Sequence, residues 1–274
     1  MTDRPSILYV TDLSYPARGR RYGDEDVHLS DRLREDFTVA LCHPRDAVAL
    51  MDGFDAVLVR NSGPVIHYQA EYRAFRAAAL ERGTLVHNPL TGRGDMAGKQ
   101  YLLDLTAEGH PVIPTVADRA HLDRLPAADE YVVKPLLGAD SVGLTYLRPG
   151  ELDTADLTGA LIQPRIPFRH ELSFYFVDRV FQYALYAPDP ERRWELAVHR
   201  PTAEDLAFAQ RFADWNTLAY GIQRVDACRT PEGGLLLVEL EDLNPYLSLD
   251  LLEPGVRDAF VDALKASLHR SLEG

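Results

Sequence analysis

Short apolar runs alternate with amphipathic helical segments over the first third of the chain, and this alternation restricts the fold more than any other feature. Strands are predicted over 7–11, 37–42, 55–60 and 84–87, with helices over 26–35 and 68–82. Such alternation predicts a parallel sheet with crossover connections. Ligands of parallel sheets bind beyond the carboxyl ends of the strands, where the loops 13–22 and 61–64 lie.

The alternation ends near residue 90, and the remaining chain is typical of antiparallel α+β structure. Helices are predicted over 95–108, 203–219 and 253–272. Strands are predicted over 131–135, 144–147, 161–164, 172–177, 180–186, 222–229 and 235–240. The last two strands flank Thr230-Pro-Glu-Gly-Gly234, whose glycines favour a hairpin turn. The sequence therefore predicts one α/β lobe followed by two α+β lobes.

The charge balance argues against polyanionic macromolecular partners. The chain has 29 Lys+Arg and 42 Asp+Glu, a formal net charge of −13, which repels nucleic acid and anionic membranes over most of the surface. No run of apolar residues is long enough to cross a bilayer. Cys42 and Cys228 are too few for a disulfide framework, and both lie in apolar runs. We therefore expect a reduced, cytoplasmic protein that binds neither nucleic acid nor membranes.

Two glycine patterns resemble phosphate-binding motifs and fit them poorly. The segment Gly138–Gly143 has the two glycines of a P-loop, but Leu144 stands where the motif requires lysine. The segment Gly92–Ala97 matches the relaxed dinucleotide pattern G-x-G-x-x-A, although four residues separate it from the preceding strand. We reject the P-loop, and the second pattern leaves an NAD(P)-dependent oxidoreductase as an alternative function.

A lysine ends the apolar strand Tyr131-Val-Val-Lys134-Pro135, and a loop with glycines at both ends follows it. An ammonium group in this position can reach phosphate oxygens while exposed N–H groups of the loop surround them. The alternative is a solvated lysine beside an ordinary hairpin. The pattern is therefore a candidate phosphate site that needs support from the rest of the chain.

Three carboxylates are predicted on one face of the last hairpin. Glu239 and Glu241 share a face because they are two residues apart on a strand, and the hairpin places Asp226 beside them. Like charges repel one another unless cations are present, and an all-oxygen ligand set suits Mg²⁺. Neutralisation by neighbouring arginines such as Arg224 is the alternative. Asn244 follows the strand and could add a neutral oxygen ligand.

Together these segments resemble the ATP-grasp superfamily, especially the branch that holds D-alanine–D-alanine ligase, bacterial glutathione synthetase and RimK-type ligases. The resemblance extends from Gly83 to Asp250 and keeps the family's order of motifs. The matching segments are Gly83–Pro89, Asp95–Lys99, Gly109–Thr115, Val133–Pro135, Gly138–Gly143, Leu161–Ile166, Glu171, Arg224–Asp226 and Glu239–Pro245. The separation of 13 residues between Asp226 and Glu239 also matches the family.

The resemblance implies an ATP-grasp fold, in which an N-terminal parallel α/β lobe precedes two α+β lobes that hold ATP between them. The corresponding domain boundaries are 1–94, 95–162 and 163–274. The implied cofactors are ATP and two Mg²⁺ ions, with Mn²⁺ as a substitute. A homodimer is compatible with the family.

The resemblance also implies roles for individual residues. Arg224 is the expected catalytic residue, placed to stabilise a tetrahedral oxyanion. The expected ATP-binding residues are Lys99, Lys134, Gly138, Ser141, Gly143, Gln163, Ile166 and Glu171. The expected metal ligands are Asp226, Glu239, Glu241 and Asn244, although the chain departs here from the family's Glu-x-Asn-x-x-Pro. Substrate candidates taken from the residues alone are Arg20, Asn61 and Arg169.

The implied activity is that of an ATP-dependent ligase, which joins a small-molecule carboxylate and an amine through an acyl phosphate. Ring closure within one substrate, as in cycloserine-type synthetases, is an alternative inside the same fold. A catalytically inactive nucleotide-binding module is a further alternative. The retained lysine, arginine and carboxylates argue against it, because an inactive copy has no need of Mg²⁺ ligands.

Overall fold

The first third of the chain forms a parallel sheet, as its alternating pattern predicts. The computed structural model describes residues 4–15, 22–60, 65–138, 143–189 and 191–274. The elements of this part are β1 Ser6–Val10, α1 Tyr22–Leu33, β2 Thr38–Cys42, α2 Ala47–Leu50, β3 Ala56–Val59, α3 Gln69–Arg82 and β4 Val86–His87. The strand order is β2-β1-β3-β4, and each neighbouring pair is parallel.

The helix predicted over 95–108 is wrong in its first half. A short 3-10 turn covers Asp95–Ala97, and the helix α4 begins later and spans Tyr101–Ala107. Gly98 separates the two with a φ of 88°, a backbone conformation that favours glycine. The N–H of Lys99 then donates to the carbonyl oxygen of Leu136 over 2.9 Å instead of continuing a helix. Lys99 is therefore tied to a distant segment of the chain.

The rest of the chain forms two antiparallel sheets with helices against them, as predicted. The middle sheet has the order β6-β5-β7 and consists of β5 Tyr131–Pro135, β6 Thr145–Leu147 and β7 Ala160–Pro164, with α5 Pro149–Leu152 beside it. The last sheet has the order β10-β9-β8-β11-β12. Its elements are β8 His170–Val177, β9 Val180–Ala187, β10 Ala197–His199, α6 Ala203–Asn216, β11 Ile222–Arg229, β12 Leu235–Glu241 and α7 Pro254–Glu273.

The hydrophobic core divides unequally among the sheets. One cluster joins the first sheet to the last through α7, since Tyr9, Tyr175 and Phe260 are all fully buried within it. The middle sheet has a cluster of its own, which includes Val133 and Ile162, and its strand β7 also contributes Leu161 to the cluster of the last sheet. Truncating a fully buried aromatic residue typically costs about 3–5 kcal/mol of stability, so the shared cluster binds the first and last sheets firmly.

No helix within the described ranges has the length and apolar character needed to cross a membrane.

Candidate functional site

The three predicted carboxylates meet on the hairpin formed by β11 and β12. Antiparallel pairing places Asp226 opposite Glu239 and Arg224 opposite Glu241. Oxygens of Asp226, Glu239 and Glu241 lie within 4.8 Å of one another. The strand alternation and the turn at Thr230–Gly234 produce this grouping, as the sequence predicts.

Two cations offset the charge of the three carboxylates. The Nη2 of Arg224 donates to Oδ2 of Asp226 over 2.8 Å and also forms an ion pair with Glu241. Lys99 forms an ion pair with Glu239. Burial raises the pKa of the Glu241 carboxyl, while Arg224 opposes that rise. The cluster holds more negative than positive side chains, and its hard oxygen donors fit the ligand set that Mg²⁺ prefers.

Lys134 stands near the end of β5, where no described residue supplies a counterion. Its ammonium group makes no hydrogen bond or ion pair with any described residue, although Lys99 and Arg193 are close enough to affect its titration. Burial, Lys99 and Arg193 lower the pKa of Lys134 from 10.5 to about 7. A partly desolvated ammonium among other cations is unfavourable unless an anion joins it, so this position fits an anionic ligand.

The glycine-rich loop begins and ends against Pro135. A Cβ on Gly138 would lie 3.2 Å from the carbonyl oxygen of Pro135, and one on Gly143 would lie 2.9 Å from its Cγ. Gly143 also has a φ of 77°. Both ends of the loop therefore lie directly after Lys134, where a phosphate-covering loop is needed. Ser141, a predicted member of this loop, lies outside the described residues.

Gln163 turns its side chain away from the predicted adenine segment. Its Nε2 donates to Oγ1 of Thr115 over 2.8 Å, and the residue is buried. The Gln163 amide therefore fastens the segment 109–115 to β7, and only its main chain is left for a nucleotide. Ile166 is half-buried just after β7.

Glu171 lies on β8 in the same sheet as the carboxylate cluster. Its Oε2 accepts a hydrogen bond of 2.6 Å from Nε of Arg193. Burial raises the pKa of Glu171, and Arg193 opposes that rise. Glu171 thus keeps a half-buried carboxylate that is oriented by an arginine, a suitable acceptor for sugar hydroxyls.

Arg169 lies beside the end of β11 that is far from Arg224, and its role as a substrate residue stays a prediction. The Arg169 N–H donates to the carbonyl of Arg229 over 2.8 Å, and its guanidinium donates to the carbonyl of Pro231. Arg229 lies five residues along β11 from Arg224, about 17 Å at the usual rise of a strand. Arg20 and Asn61, the other two substrate candidates, lie outside the described residues.

Asn244 follows β12 and contacts the first sheet. Its Nδ2 donates to the carbonyl oxygen of Arg60 over 3.2 Å. Arg60 is 3% exposed, and its Nη2 donates to the carbonyl oxygen of Pro245 over 2.7 Å. Glu25 accepts from the N–H of Leu247 over 3.0 Å. The loop after β12 is thereby fixed against the first sheet, and a role for Asn244 as a metal ligand stays a prediction.

The main chain of Gly92–Ala97 binds a carboxylate of the protein itself. This contact excludes the dinucleotide interpretation of the motif. The N–H groups of Gly94 and Met96 donate to Asp242 over 2.8 and 2.9 Å. A Cβ on Gly92 would collide with the same carboxylate. A bound pyrophosphate would need these same main-chain N–H groups as hydrogen-bond donors, and Asp242 already occupies them. This role of Asp242 was not predicted from the sequence. The signal was the pair of glycines, Gly92 and Gly94, because glycine allows another group to lie close to the backbone.

Comparison with known proteins shows likeness over nearly the whole chain. No family model matches it. The cycloserine biosynthesis protein DcsG of Streptomyces lavendulae is 28% identical, covering 80% of this chain and 85% of that protein. The crystal structure of D-cycloserine synthetase DcsG superposes with a TM-score of 0.70 at 28% identity, covering 96% of this chain and 99% of that one.

Two more distant structures share the fold. D-alanine–D-alanine ligase from Bacillus anthracis, complexed with ATP, superposes with a TM-score of 0.66 at 15% identity and covers 98% of each chain. The ATP-grasp ligase PsnB, complexed with a phosphomimetic variant of its minimal precursor, Mg and ADP, gives 0.65 at 17% identity and covers 97% and 99%. The predicted ATP-grasp fold is therefore confirmed.

Proposed function

The chain belongs to the ATP-grasp superfamily and is an ATP-dependent ligase that forms carbon–nitrogen bonds, and we propose that it does so through the acyl phosphate of a small carboxylate. An oxygen of the carboxylate attacks the γ-phosphorus of ATP, and ADP leaves. The amine nitrogen then attacks the acyl carbon. Inorganic phosphate leaves, and the nitrogen loses a proton to give the amide.

The observation that carries this proposal is the ammonium group of Lys134, which has no acceptor among the described residues. Burial and two neighbouring cations lower its pKa to about 7, so the group is in need of an anion. The phosphates of ATP supply one. We assign Lys99 to the phosphates as well, and the loop from Gly138 through Ser141 to Gly143 to their cover.

The rest of the nucleotide is assigned to the segment that follows β7 and to β8. The main chain between Gln163 and Ile166 is assigned to adenine, since the Gln163 side chain is engaged with Thr115. Glu171 is assigned to the ribose hydroxyls. Its carboxylate is half-buried and oriented by Arg193, so it can accept hydrogen bonds from hydroxyl groups.

Asp226, Glu239 and Glu241 are assigned to magnesium, with Asn244 as a further ligand. When bound there, two Mg²⁺ ions, or Mn²⁺ in their place, offset the charge that builds up on the phosphate oxygens. The support is the close grouping of the three carboxylates at 16–28% side-chain exposure. Lys99 and Arg224, which pair with these carboxylates, keep the cluster intact between turnovers.

Arg224 is assigned to the oxyanion that forms when the amine attacks the acyl carbon. Its guanidinium is held by Asp226 and by the carbonyl oxygen of Tyr246 at 3.1 Å. A preorganised cation at this position stabilises developing negative charge without moving during the reaction. Closure of the lobes around the site keeps water away from the acyl phosphate.

Ring closure within a single substrate is the second candidate function. Its support is the 28% identity to the D-cycloserine synthetase over 96% of this chain. The two candidates differ in the number of substrates, so incubation of single acids with ATP and analysis of the product masses separates them. A product that forms without an added amine supports ring closure.

The remaining assignments concern assembly and location. A cytoplasmic location is supported by the two free cysteines, because thiols remain unpaired in a reducing compartment. We propose domains over 1–94, 95–162 and 163–274, each built around one of the three sheets, with the second boundary inside β7. A homodimer is the assembly that we expect, and light scattering tests it.

Thermal unfolding with added nucleotides tests the proposed function. Mg-ADP is expected to raise the melting temperature, whereas NAD(H) and NADP(H) are expected to leave it unchanged. The variant Lys134→Ala should lose most of the Mg-ADP effect, and Arg148→Ala, at an exposed position, should keep it. Stabilisation by dinucleotides alone would overturn the assignment.

A further inference from the structure

A cavity of about 260 Å³ opens beside Lys99, between the first turns of α3, the segment 95–99 and the start of the glycine-rich loop. None of the roles assigned above accounts for it. Its polar lining includes Tyr72, Arg73, Arg76, Asp95, Lys99 and Asn244. Because it reaches both Lys99 and Asn244, the cavity borders the proposed phosphate and magnesium sites.

The hydroxyl group of Tyr72 is an unsatisfied donor in this cavity wall. Its oxygen is buried and donates to no described residue, and the Arg76 guanidinium, which can only donate, lies close to it. Burial raises the pKa of Tyr72, so the hydroxyl stays protonated. Helical spacing alone assigns Tyr72 to the apolar face of α3, yet a buried tyrosine hydroxyl normally has a partner. The missing acceptor is therefore expected to come from a ligand.

Two arginines of α3 give the same end of the cavity a positive charge. Arg73 makes no hydrogen bond or ion pair with a described residue, and it stands exposed at the rim. Arg76 donates to the carbonyl oxygen of Leu90 over 2.8 Å and pairs with no described carboxylate. These groups only donate hydrogen bonds, so the ligand must offer acceptors here.

The remaining charges of the cavity are already engaged. Lys99 pairs with Glu239. Oδ1 of Asp95 accepts from the N–H groups of Asp242 and Leu243 over 2.7 and 3.0 Å. Between the arginine end and the Lys99 end the wall is mostly apolar and is made by side chains such as Leu136 and Leu243.

We propose that this cavity binds the far end of the carboxylate substrate, and that the substrate is an acid with a second acceptor group, a carboxylate or a carboxamide, held by Tyr72 and Arg73. This inference rests on the proposed function. The reacting carboxylate lies at the end of the cavity near Lys99 and Asn244, where the γ-phosphate is expected. An aliphatic chain then passes along the apolar wall to the donors of α3.

The test measures binding of three acids of similar length to the full chain saturated with Mg-ADP. The probes are glutarate, which has a second carboxylate, glutamine, which has a carboxamide, and valerate, which has neither. Calorimetry should show glutarate or glutamine binding at least about tenfold more tightly than valerate. Preference for glutarate identifies a second carboxylate, and preference for glutamine identifies a carboxamide.

Variants of α3 locate the effect. Tyr72→Phe and Arg73→Gln should each reduce the preference about tenfold and leave Mg-ADP binding unchanged. Arg82→Gln, on the same helix but paired with Asp52, is the matched control and should keep the preference. With hydroxylamine as the amine, the same order is expected in hydroxamate formation.

Equal binding of all three acids, or an undiminished preference in both variants, would overturn the inference. The proposed function would still stand in that case if Mg-ADP binds. Failure of Mg-ADP to bind the unaltered chain would count against the proposed function itself.

Discussion

The N–H of Asp242 donates to Oδ1 of Asp95 over 2.7 Å, and the Asp242 carboxylate accepts in return from the turn that Asp95 begins. This reciprocal pair joins the end of β12, which carries Glu239 and Glu241, to the turn that ends at Lys99. The position of the lysine relative to the carboxylates therefore depends on Asp242, whose side chain binds the N–H groups of Gly94 and Met96.

Replacing Asp242 with alanine should weaken both the fold and the nucleotide site. The change leaves the buried N–H groups of Gly94 and Met96 without acceptors, which should cost about 3 kcal/mol in the free energy of unfolding. Mg-ADP should bind about tenfold more weakly, since Lys99 follows the turn. Urea unfolding and calorimetry measure the two effects. Asp52→Ala, at an exposed carboxylate, is the control, and unchanged affinity in Asp242→Ala would contradict this account.

Nucleotide affinity should fall as the pH rises above about 7. The ammonium form of Lys134 binds phosphate, and in the free protein its pKa is lowered to about 7, so higher pH removes the charge that binding requires. The loss should approach tenfold per pH unit for the free protein. Titration of Mg-ADP affinity between pH 6 and 9 measures it.

The matched variant for this titration is Lys134→Arg, since a guanidinium stays charged throughout the range. The Mg-ADP affinity of this variant should change with pH only through titration of the nucleotide phosphates. The same slope in both proteins would show that Lys134 is not the group responsible.

Replacing Glu239 with glutamine should separate nucleotide binding from turnover. The neutral amide keeps the shape of the side chain but removes a charge from the proposed magnesium site, so phosphate release from ATP should fall about 100-fold or more. Nucleotide binding should be partly retained, because Lys134 is unaffected. Glu204→Gln, on the exposed start of α6, serves as the control. Full turnover by Glu239→Gln would remove Glu239 from the metal site.

Stability should decline in mild acid because of His87. Burial lowers the pKa of His87 to about 4 in the folded protein, against about 6.5 when unfolded. Between these values the unfolded chain binds more protons, so stability rises with pH across this window and is lost as the pH falls through it. This difference in the pKa of His87 corresponds to a loss of about 3 kcal/mol in the free energy of unfolding.

Urea unfolding at pH 7 and pH 4 measures this loss. His87→Gln should be less sensitive to acid, since glutamine does not titrate and can still contact Ser267 and Ser271. His121→Gln, at an exposed position, should behave as the unaltered chain does. Equal acid sensitivity in His87→Gln would contradict this assignment.

The sequence predicted those features of the site that follow from the alternation of side chains along a strand. The pairing of Asp226 with Glu239 follows from the spacing and from one turn, and both are readable along the chain. The break at Gly98 was not predictable, because it depends on a hydrogen bond between Lys99 and Leu136, which are far apart in sequence. The role of Gly92 was misread for the same reason, since Asp242 is distant in the chain.

The unequal division of the core has a consequence for motion. The first and last sheets share one apolar interior through α7, so they should open to solvent only together, in a global unfolding event. The middle sheet has a smaller cluster and joins the last sheet's core through Leu161, so it should open at lower free energy than the other two. Backbone amides of Val133 and Ile162 should therefore exchange faster with deuterium than those of Tyr9 and Tyr175. Bound nucleotide should slow that exchange by restraining the sheet that carries Lys134.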